Sequence, residues 1–385
     1  MGTSQICTDN CRSALSLVSK KILFTVTNDL SYDQRMHRIC TTVHSRGAQV
    51  TLVGRLRKHS KDLKQFPFAT KRLKCFFEKG KLFYLEFNFR LLLYILVKRF
   101  DMVCAIDLDT LLPATLVAKV RRKKLGYDAH EFFTEVPEVV HRKAVRYLWN
   151  GLAKFCIPKT DFRYTVGPKL AAKFEEKYGA PFQVVRNVPV YTPGLSAEKD
   201  SLFNFDTPFI LYQGALNVGR GLECLIHAAE SLMLSVVIAG EGDLSNELRL
   251  LVKDKGLEHK VLFTGFVEPS DLKELTRKAF LGYNLLENMG LSYYYSLANK
   301  FFDYTMAAVP CLNSPFPEYN ALNEKYNLSV SCNLNEKDII EAINELVKNE
   351  NRYNQLKANC IKARETLNWD KEAMILASIY EQQVQ

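Results

Sequence analysis

The sequence predicts an α/β protein of two doubly wound, Rossmann-like domains that face each other across a cleft. Both halves of the chain alternate buried-type strands with amphipathic helices, which is the pattern of βαβ units on a parallel sheet. The 385 residues exceed one ordinary core and suit two domains. Residues 191–207 contain proline, glycine, serine and charges without periodicity, and we interpret them as a linker. The predicted domains are residues 1–190, with 1–19 as a loose lead-in, and residues 208–368.

The first half opens on a βαβ unit. Residues 20–29 (KKILFTVTND) predict a strand, a helix follows, and Gly47 ends that helix before a second strand. Residues 101–109 (DMVCAIDLD) predict another strand, a helix follows, and KLGYDAHEF predicts a short strand that ends at His130-Glu131. A long basic helix then precedes the strand RYTVG, and PFQVVRNVP closes this half.

The second half repeats the pattern. The segments PFILYQG, SVVIAGEGD, KVLFTGFV and LGYNLL predict strands, and a helix follows each of the first three. The third of these helices, PSDLKELTRKA, is expected to be capped by Ser270, with Glu274 behind it. Because ligands of such sheets bind outside the carboxyl ends of the strands, the loops after these strands are the candidate site.

Composition favours a globular protein with an anionic partner. Hydrophobic residues make up 47% and charged residues 24% of the chain. Residues 1–190 hold 34 Lys and Arg against 16 Asp and Glu, a net charge of +18, whereas residues 191–385 have a net charge of −8. The net positive charge of the N-terminal half indicates an anionic binding partner, which could be a membrane surface, a nucleic acid or a phosphorylated substrate. Nucleic acid is disfavoured because no binding motif accompanies the charge.

Basic and aromatic residues interleave in three segments, FNFRLLLYILVKRF, VAKVRRKK and HRKAVRYLWNGLAKF. This pattern suits peripheral contact with an anionic membrane, and the alternative is a core helix with a solvated basic face. The ten cysteines are scattered without a ligand pattern, which indicates reduced, cytoplasmic thiols. We expect no signal peptide and no membrane span, hence a cytoplasmic protein, peripheral on the inner face of the plasma membrane.

Three strand ends in the second half carry glycine. YQGALNVGRG places Gly214 at a strand end and Arg220 before a helix, AGEGD supplies Gly240, Glu241 and Gly242, and FTGFV supplies Phe266. Glycine lets a backbone approach a pyrophosphate, and an arginine pairs with it through a planar fork. Together these loops predict a nucleotide site, with Phe266 beside the base.

The segment from Tyr283 to Pro310 completes this candidate site. Its strand ends at Glu287, the pair Gly290-Leu291 and an aromatic loop follow, and a helix is expected to begin at Asn299-Lys300 with Asp303 in its first turn. Carboxylates accept hydrogen bonds from sugar hydroxyls, and a helix N-terminus favours phosphate. The alternative is an ordinary capped helix N-terminus.

Strand ends of the first half supply a second group of candidates. His130 and Glu131 end a predicted strand and should therefore face the cleft between the domains. Asp29 and Arg35 flank the first βα turn, where an acceptor hydroxyl or phosphate is expected; the alternative is a helix cap and a surface arginine. Asp107-Leu108-Asp109 matches the metal-binding DxD of GT-A glycosyltransferases, but the triplet is short and a strand-end loop is preferred.

The order YQG…RG…AGEGD…FTGFV…EN.GLSY…NKFFDY…AAVP resembles the donor half of GT-B glycosyltransferases, particularly glycosyltransferase family 4 (group 1). YDQRM, YDAHEFF and RNVP resemble its bacterial members. The resemblance implies that Gly214 and Arg220 hold the donor pyrophosphate, that Glu287 faces the donor sugar and that Asp303 faces the ribose. It also implies that His130 contacts the donor sugar, and that residues 369–385 form a last helix, with Trp369 at the crossing, that packs on the N-terminal domain.

The resemblance implies a retaining, metal-independent glycosyltransferase with no cofactor. Its substrates would be a nucleotide-diphosphate sugar and a hydroxyl of a saccharide or lipid-linked acceptor in polysaccharide biosynthesis, and Arg220 and Lys300 would stabilise the leaving diphosphate. The chain departs from the family in the wide Glu287–Asp303 spacing, in having Asp as the second acid, and in lacking the usual arginine, whose charge Lys300 would supply. The alternatives are a UDP-sugar 2-epimerase-like enzyme and a catalytically idle saccharide- or membrane-binding protein.

Overall fold

The computed structural model describes residues 17–191 and 207–384, which form two compact units. One unit contains the chain up to Asn187 and again from Lys371, and the other runs from Val188 to Asp370. Each unit is built on one parallel sheet covered by helices, so the predicted pair of Rossmann-like domains is confirmed. The predicted linker lies outside the described residues except for its end residues 191 and 207.

The first domain has a seven-stranded parallel sheet in the order β3-β2-β1-β4-β5-β6-β7. Its elements are β1 Lys21–Asp29, α1 Gln34–Ser45, β2 Gln49–Leu56, β3 Ala69–Lys74, α2 Gly80–Val97, β4 Met102–Ile106, α3 Leu111–Val120, β5 Lys124–Ala129, α4 Pro137–Val140, α5 Lys143–Cys156, β6 Phe162–Thr165, α6 Pro168–Tyr178 and β7 Gln183–Val184. The sequence pattern does not predict strand β3 or helix α2.

Local sequence explains where α1 begins and ends. The carboxylate of Asp33 accepts the backbone N–H of Met36 at 3.1 Å, which caps the helix. Met36, Ile39 and Val43 repeat at helical spacing and are buried against the sheet. Gly47 follows the helix at φ +94°, a conformation that suits glycine, and this confirms it as the stop.

The second domain has a six-stranded parallel sheet in the order β10-β9-β8-β11-β12-β13. Its elements are β8 Phe209–Gln213, α7 Leu222–Ala229, β9 Ser235–Ala239, α8 Ser245–Asp254, β10 Val261–Gly265, α9 Pro269–Lys278, β11 Leu281–Asn284, α10 Leu291–Tyr294, α11 Asn299–Met306, β12 Cys311–Asn313, α12 Pro317–Tyr326, β13 Ser329–Ser331, α13 Glu336–Lys348 and α14 Glu350–Ala363.

Two expectations about helix N-termini were wrong. Helix α9 begins with Pro269 behind Glu268 as the N-cap, so Ser270 lies inside its first turn and bonds Asp271 instead of capping. Helix α11 begins at Asn299 behind Ala298, which has no polar side chain for capping. Asp303 is therefore the fifth residue of α11 and lies beyond its first turn.

Tyr304 fixes α11 against the sheet. Its hydroxyl donates to the carbonyl of Leu211 in β8 at 2.7 Å, and its ring covers Gly282 of β11 so closely that a Cβ there would overlap it. This contact places the N-terminal half of α11 beside the carboxyl end of β8.

A last helix, α15 (Trp369–Glu381), packs on the first domain. Tyr380 is fully buried, and its ring contacts Phe24 of β1 and Phe162 of β6. Its hydroxyl lies 3.1 Å from that of Tyr164, and Glu372 accepts a hydrogen bond from Arg186. The expected return of the last helix to the N-terminal domain is confirmed.

Candidate functional site

The glycine-bearing strand ends of the second domain pack directly on one another. A Cβ at Gly240 would overlap the carbonyl oxygen of Gly214, and both residues have positive φ, at +143° and +133°. The N–H groups of Gly214 and Gly240 already donate to Ala239 and Gly265, at 3.0 and 2.9 Å. These glycines therefore bring three strand ends together, with their own N–H groups engaged in the protein. The expected approach of a pyrophosphate to Gly214 and Gly240 stays a prediction.

Gly242 and Glu241 are likewise engaged within the protein. The N–H of Gly242 donates to the Ser245 hydroxyl at 2.8 Å, and a Cβ there would meet the backbone of Leu216 at 2.5 Å. Glu241 forms a bidentate ion pair with Arg249, which lowers the pKa of its carboxyl group. Both residues thus order the loop, and their contact with a nucleotide stays a prediction.

The β8–α7 loop lies against the segment that follows β11. The backbone N–H of Glu287 donates to the carbonyl of Gly219 at 3.0 Å, and the hydroxyl of Tyr293 donates to Val218 at 3.3 Å. Gly219 has φ +82°, and a Cβ there would lie 2.5 Å from the Met289 sulfur. The loop of Arg220 and the predicted acid Glu287 are thereby held side by side.

Arg220 and Lys300 form a cationic pair around Tyr212 at the end of β8. The Lys300 ammonium lies 3.6 Å from the centroid of the Tyr212 ring, and its Nζ would lie 3.6 Å from a Cβ at Gly214. The Arg220 guanidinium lies 5.0 Å from the ring centroid of Tyr293. Neither cation makes a salt bridge to any residue that the structure describes.

The electrostatics of this pair favour an anion. Burial and the positive charge of Arg220 lower the pKa of Lys300 well below its usual range, and Asp303 opposes this only in part. Two neighbouring cations without a salt bridge are stabilised when a ligand brings negative charge between them. The joint role of Lys300 and Arg220 stays a prediction, and the effect of Arg220 on the pKa of Lys300 agrees with it.

The two predicted acids occupy different environments. Burial, together with the nearby Glu223, raises the pKa of Glu287. Asp303 accepts a hydrogen bond from Gln213 at 3.3 Å, and Gln213 in turn accepts one from Thr276 at 2.7 Å. Asp303 is thus held at the end of β8 although it lies beyond the first turn of its helix.

The remaining predicted donor residues lie around the same strand ends. Gly290 has φ +133° and precedes the short helix α10, and Leu291 is the first residue of that helix and is exposed. Asn299 begins α11 and is exposed. Phe266 follows β10 with 59% of its surface exposed, and its role beside a base stays a prediction.

The carboxyl ends of β1, β4 and β5 hold a buried ionic cluster in the first domain. Nε2 of His130 lies 2.9 Å from Asp128 Oδ2, and Nδ1 lies 3.5 Å from Asp107 Oδ2. These two carboxylates outweigh burial and raise the pKa of His130 to about 9, so the imidazole is protonated at neutral pH. The predicted catalytic histidine is therefore a positively charged hydrogen-bond donor.

The predicted acceptor contact of Arg35 was wrong. Arg35 is buried, and its guanidinium donates to Asp128 at 2.9 Å and to the carbonyl of Val185 at 3.2 Å. It is not a surface arginine, and each of its three nitrogens has an acceptor in Asp128 or the carbonyl of Val185. It acts instead to hold Asp128, which in turn holds His130.

Asp29 and Glu131 were both predicted to lie on the acceptor side. Asp29 ends β1 and accepts hydrogen bonds from Ser31 and Ser60, with Arg72 at 3.9 Å. These partners lower the pKa of Asp29 despite its partial burial, so its carboxylate orders the β1–α1 loop. Glu131 follows His130 and is exposed, and its role toward an acceptor stays a prediction.

The DxD triplet belongs to the ionic cluster of His130. Asp107 has φ +55° and accepts the backbone N–H of His130 at 2.8 Å, and Asp109 accepts the hydroxyl of Thr27 at 2.6 Å. Burial and the neighbouring Asp107 raise the pKa of Asp109 to about 7. Over residues 17–191 and 207–384, no three His, Cys, Asp or Glu side chains are arranged to hold a metal ion.

Sequence reasoning missed the residues that support these groups. Tyr212, Tyr293 and Gln213 contact Lys300, Arg220 and Asp303, and Asp128 orders His130. Tyr212 and Gln213 precede Gly214 in the YQG segment, and Asp128 lies two residues before His130. A search for polar residues one or two positions before each predicted strand end would have found three of the four.

Known proteins resemble this chain in sequence over part of its length. Residues 196–363 match the family model of glycosyl transferases group 1. An uncharacterized glycosyltransferase of Methanocaldococcus jannaschii is 38% identical over 78 residues, which are 19% of this chain and 20% of that protein. O-antigen chain mannosyltransferase C of Escherichia coli is 41% identical over 63 residues, or 16% of this chain and 17% of that protein. The matches thus span about a fifth of these relatives.

Solved structures resemble the chain over nearly its whole length. Sucrose-phosphate synthase from Thermosynechococcus elongatus has a TM-score of 0.78 and 15% identity, covering 95% of this chain and 99% of that one. HepE from Anabaena, in complex with UDP and glucose, has a TM-score of 0.72 and 14% identity, covering 94% and 100%. A Listeria monocytogenes protein ascribed to the UDP-N-acetylglucosamine 2-epimerases has a TM-score of 0.63 and 14% identity, covering 95% and 97%. Residues 196–363 therefore resemble the group 1 glycosyl transferases, and the chain has the two-domain fold of GT-B glycosyltransferases.

Proposed function

We propose that this protein transfers a sugar from a nucleotide-diphosphate sugar to a hydroxyl of a saccharide or lipid-linked acceptor. The observation that carries the proposal is the pairing of Arg220 with Lys300 beside Gly214, inside residues that match the group 1 family. A site with two cations and no salt bridge fits a diphosphate, which carries the complementary charge.

The chemistry requires stabilisation of the leaving diphosphate. As the glycosidic bond to the diphosphate breaks, negative charge develops on the phosphate oxygens and the sugar becomes oxocarbenium-like. We assign Arg220 and Lys300 to the diphosphate, Glu287 to hydroxyls of the donor sugar and Asp303 to the ribose. Fixed side-chain cations supply the charge that a metal ion supplies elsewhere, so we propose a metal-independent reaction whose rate is unaffected by EDTA.

We propose that His130 donates a hydrogen bond from Nδ1 to a sugar oxygen of the substrate, because Nε2 is engaged by Asp128 at 2.9 Å whereas Nδ1 lies 3.5 Å from Asp107. Its pKa of about 9 keeps it protonated, which suits donation of a hydrogen bond and disfavours a role as general base at neutral pH. We also propose retention of anomeric configuration, from the resemblance to family 4. NMR of the product formed from a donor of known anomeric configuration tests this.

The relatives suggest where to look for substrates. A structural neighbour binds UDP and glucose, and a sequence relative is an O-antigen chain mannosyltransferase. We therefore propose transfer of a hexose in cell-surface polysaccharide synthesis, by a cytoplasmic protein that contacts an anionic membrane. UDP-glucose and the nucleotide-activated forms of mannose are the first donors to test.

The experiment is a donor-turnover assay with and without acceptor. Release of nucleotide diphosphate is measured for a panel of sugar nucleotides with a lipid-linked saccharide acceptor, for the wild type and for Lys300→Met. Acceptor-dependent release that the variant loses supports the proposal. An isomerised sugar nucleotide formed without acceptor would identify the epimerase alternative, and absence of turnover with every donor would favour the idle binding protein.

A further inference from the structure

Helix α2 is apolar on two opposite sides. Phe83, Phe87, Leu91 and Ile95 form its buried stripe at a spacing of four residues. A second stripe, at spacings of three and four, is exposed and comprises Leu82, Leu85, Phe89, Leu93 and Leu96. Leu85 is 71% exposed. The core explains the first stripe but not the second.

Two further helices continue this exposed apolar surface. Helix α3 exposes Leu112, Leu116 and Val120, and helix α5 exposes Tyr147, Leu148 and Phe155. The three helices are neighbours: Arg121 after α3 donates to the carbonyl of Lys98 after α2 at 2.6 Å, and Tyr84 of α2 meets Trp149 of α5 edge-on at 5.9 Å. We call these eleven exposed residues and the basic residues beside them the α2–α3–α5 face.

The charge of this face has one sign. Residues 79–99, 111–124 and 141–159 contain 15 lysines and arginines and a single acid, Glu86. Glu86 is already engaged, since it accepts the N–H groups of Phe76 and Phe77 and pairs with Arg90 at 2.7 Å. Exposed basic residues cluster where α2 and α3 end, at Lys98, Arg99, Arg121 and Arg122.

We propose that the α2–α3–α5 face docks on an anionic lipid bilayer, with its leucine and aromatic side chains in the interface and its lysines and arginines at the headgroups. Apolar rows flanked by basic residues match both components of such a surface. Lysines and arginines near an anionic surface add electrostatic attraction to that of the apolar side chains. None of the described helices is long and apolar enough to cross a membrane, so the inferred contact is peripheral.

Other occupants fit the face less well. In a twofold dimer the same patch meets itself, which would set the basic cluster of one copy against that of the other. A nucleic acid would pair with the charges but leave the apolar rows in water. The inference rests on the membrane contact of the proposed function and assigns it to this face; because vesicle binding requires neither donor nor acceptor, its failure is distinguishable from a failure of sugar transfer.

The test is co-sedimentation of the full chain with vesicles. We expect binding to phosphatidylcholine vesicles that contain 30% phosphatidylglycerol, loss of binding in high salt, and weak binding to phosphatidylcholine alone. Leu85→Glu with Phe89→Glu should weaken binding at least tenfold, since it removes two apolar anchors and adds two repelled charges. Met233→Glu, at a 63%-exposed position of the second domain, is the matched control and should bind as the wild type does.

A second variant protects the test against misfolding. Lys98→Glu with Arg99→Glu changes only exposed side chains and should also weaken binding at least tenfold, with an unchanged circular dichroism spectrum. The proposal would be overturned if the wild type did not bind anionic vesicles. It would also be overturned if both double variants bound these vesicles as tightly as the wild type does. A dimer in light scattering that Leu85→Glu dissociates, without vesicle binding, would assign the face to a second copy.

Discussion

Lys300 and Arg220 are the residues on which the proposed chemistry depends. Both are partly exposed, and neither has a salt bridge within the described residues. Their mutual repulsion and the burial of Lys300 disfavour its charged form until an anion binds. The pH dependence of donor binding therefore reports on this pair.

Binding of a nucleotide diphosphate should weaken as pH rises toward the usual lysine range. The lowered pKa of Lys300 means that its ammonium loses its proton below the usual lysine range, and the neutral amine attracts phosphate less. Binding should therefore take up a proton, which calorimetry in buffers of different ionisation enthalpy measures. Lys300→Arg retains the charge at high pH and should flatten the profile. A wild-type profile as flat as that of Lys300→Arg would contradict this assignment.

His130 should make the stability of the first domain depend on pH. Its pKa is raised to about 9 in the folded protein, so the stability that its charge contributes is present below about pH 6.5 and lost as pH rises through about 9. The expected loss is on the order of 1–3 kcal/mol. Denaturant unfolding at pH 6, 7.5 and 9 measures it, and His130→Gln should reduce the dependence. An unchanged slope in the variant would assign the dependence to other groups.

Among the elements, the β8–α7 loop determines whether Arg220 and Glu287 lie side by side. Its Gly219 has φ +82° and no room for a Cβ, because Met289 and Tyr293 press against it. The same contacts hold Glu287 beside the loop of Arg220. A change at this glycine should therefore disturb both the loop and the segment after β11.

Gly219→Ala should weaken donor binding and destabilise the second domain by about 1–3 kcal/mol, the usual range for a strained backbone. Gly256→Ala is the matched control, since Gly256 also has positive φ, +65°, but has open space around it. The control should show only the strain, about 1 kcal/mol, with donor affinity unchanged. Equal donor affinities in the two variants would show that the loop does not position the site.

The elements also show how much the sequence alone reveals. Alternating strands and helices predicted both sheets, because a buried parallel strand is apolar throughout and its helix is amphipathic. The pattern does not predict helix α2, because its two apolar stripes mask the helical periodicity. The sequence also does not predict the burial of Arg35, because nothing near Arg35 in sequence shows that Asp128, 93 residues away, becomes its partner. The Arg220–Lys300 pair was predicted in part from family resemblance, and its proximity required the fold.

At the scale of the whole molecule, the last helix of the chain packs on the first domain. Tyr380 of α15 packs between Phe24 and Phe162, and Glu372 pairs with Arg186 near the end of β7. The first domain therefore contains residues from both ends of the sequence.

Tyr380→Ala should destabilise the first domain by about 3–5 kcal/mol, as expected when a buried aromatic ring is removed from a core. Met374→Ala, at an exposed position of the same helix, should change stability by less than about 0.5 kcal/mol. Urea denaturation of the two variants measures the difference. Similar small effects in both would show that the last helix contributes little to this domain.

The central claim is that Arg220 and Lys300 hold the diphosphate of a nucleotide donor. The most direct test is a thermal-shift comparison of UDP, GDP, ADP, CDP and dTDP on the wild type and on the variant Arg220→Ala with Lys300→Met. At one hundred times its dissociation constant, a ligand stabilises the folded protein by about 2.7 kcal/mol. We predict that at least one of these nucleotides raises the melting temperature of the wild type and leaves that of the double variant unchanged. No shift with any nucleotide, or equal shifts in both proteins, would contradict the claim.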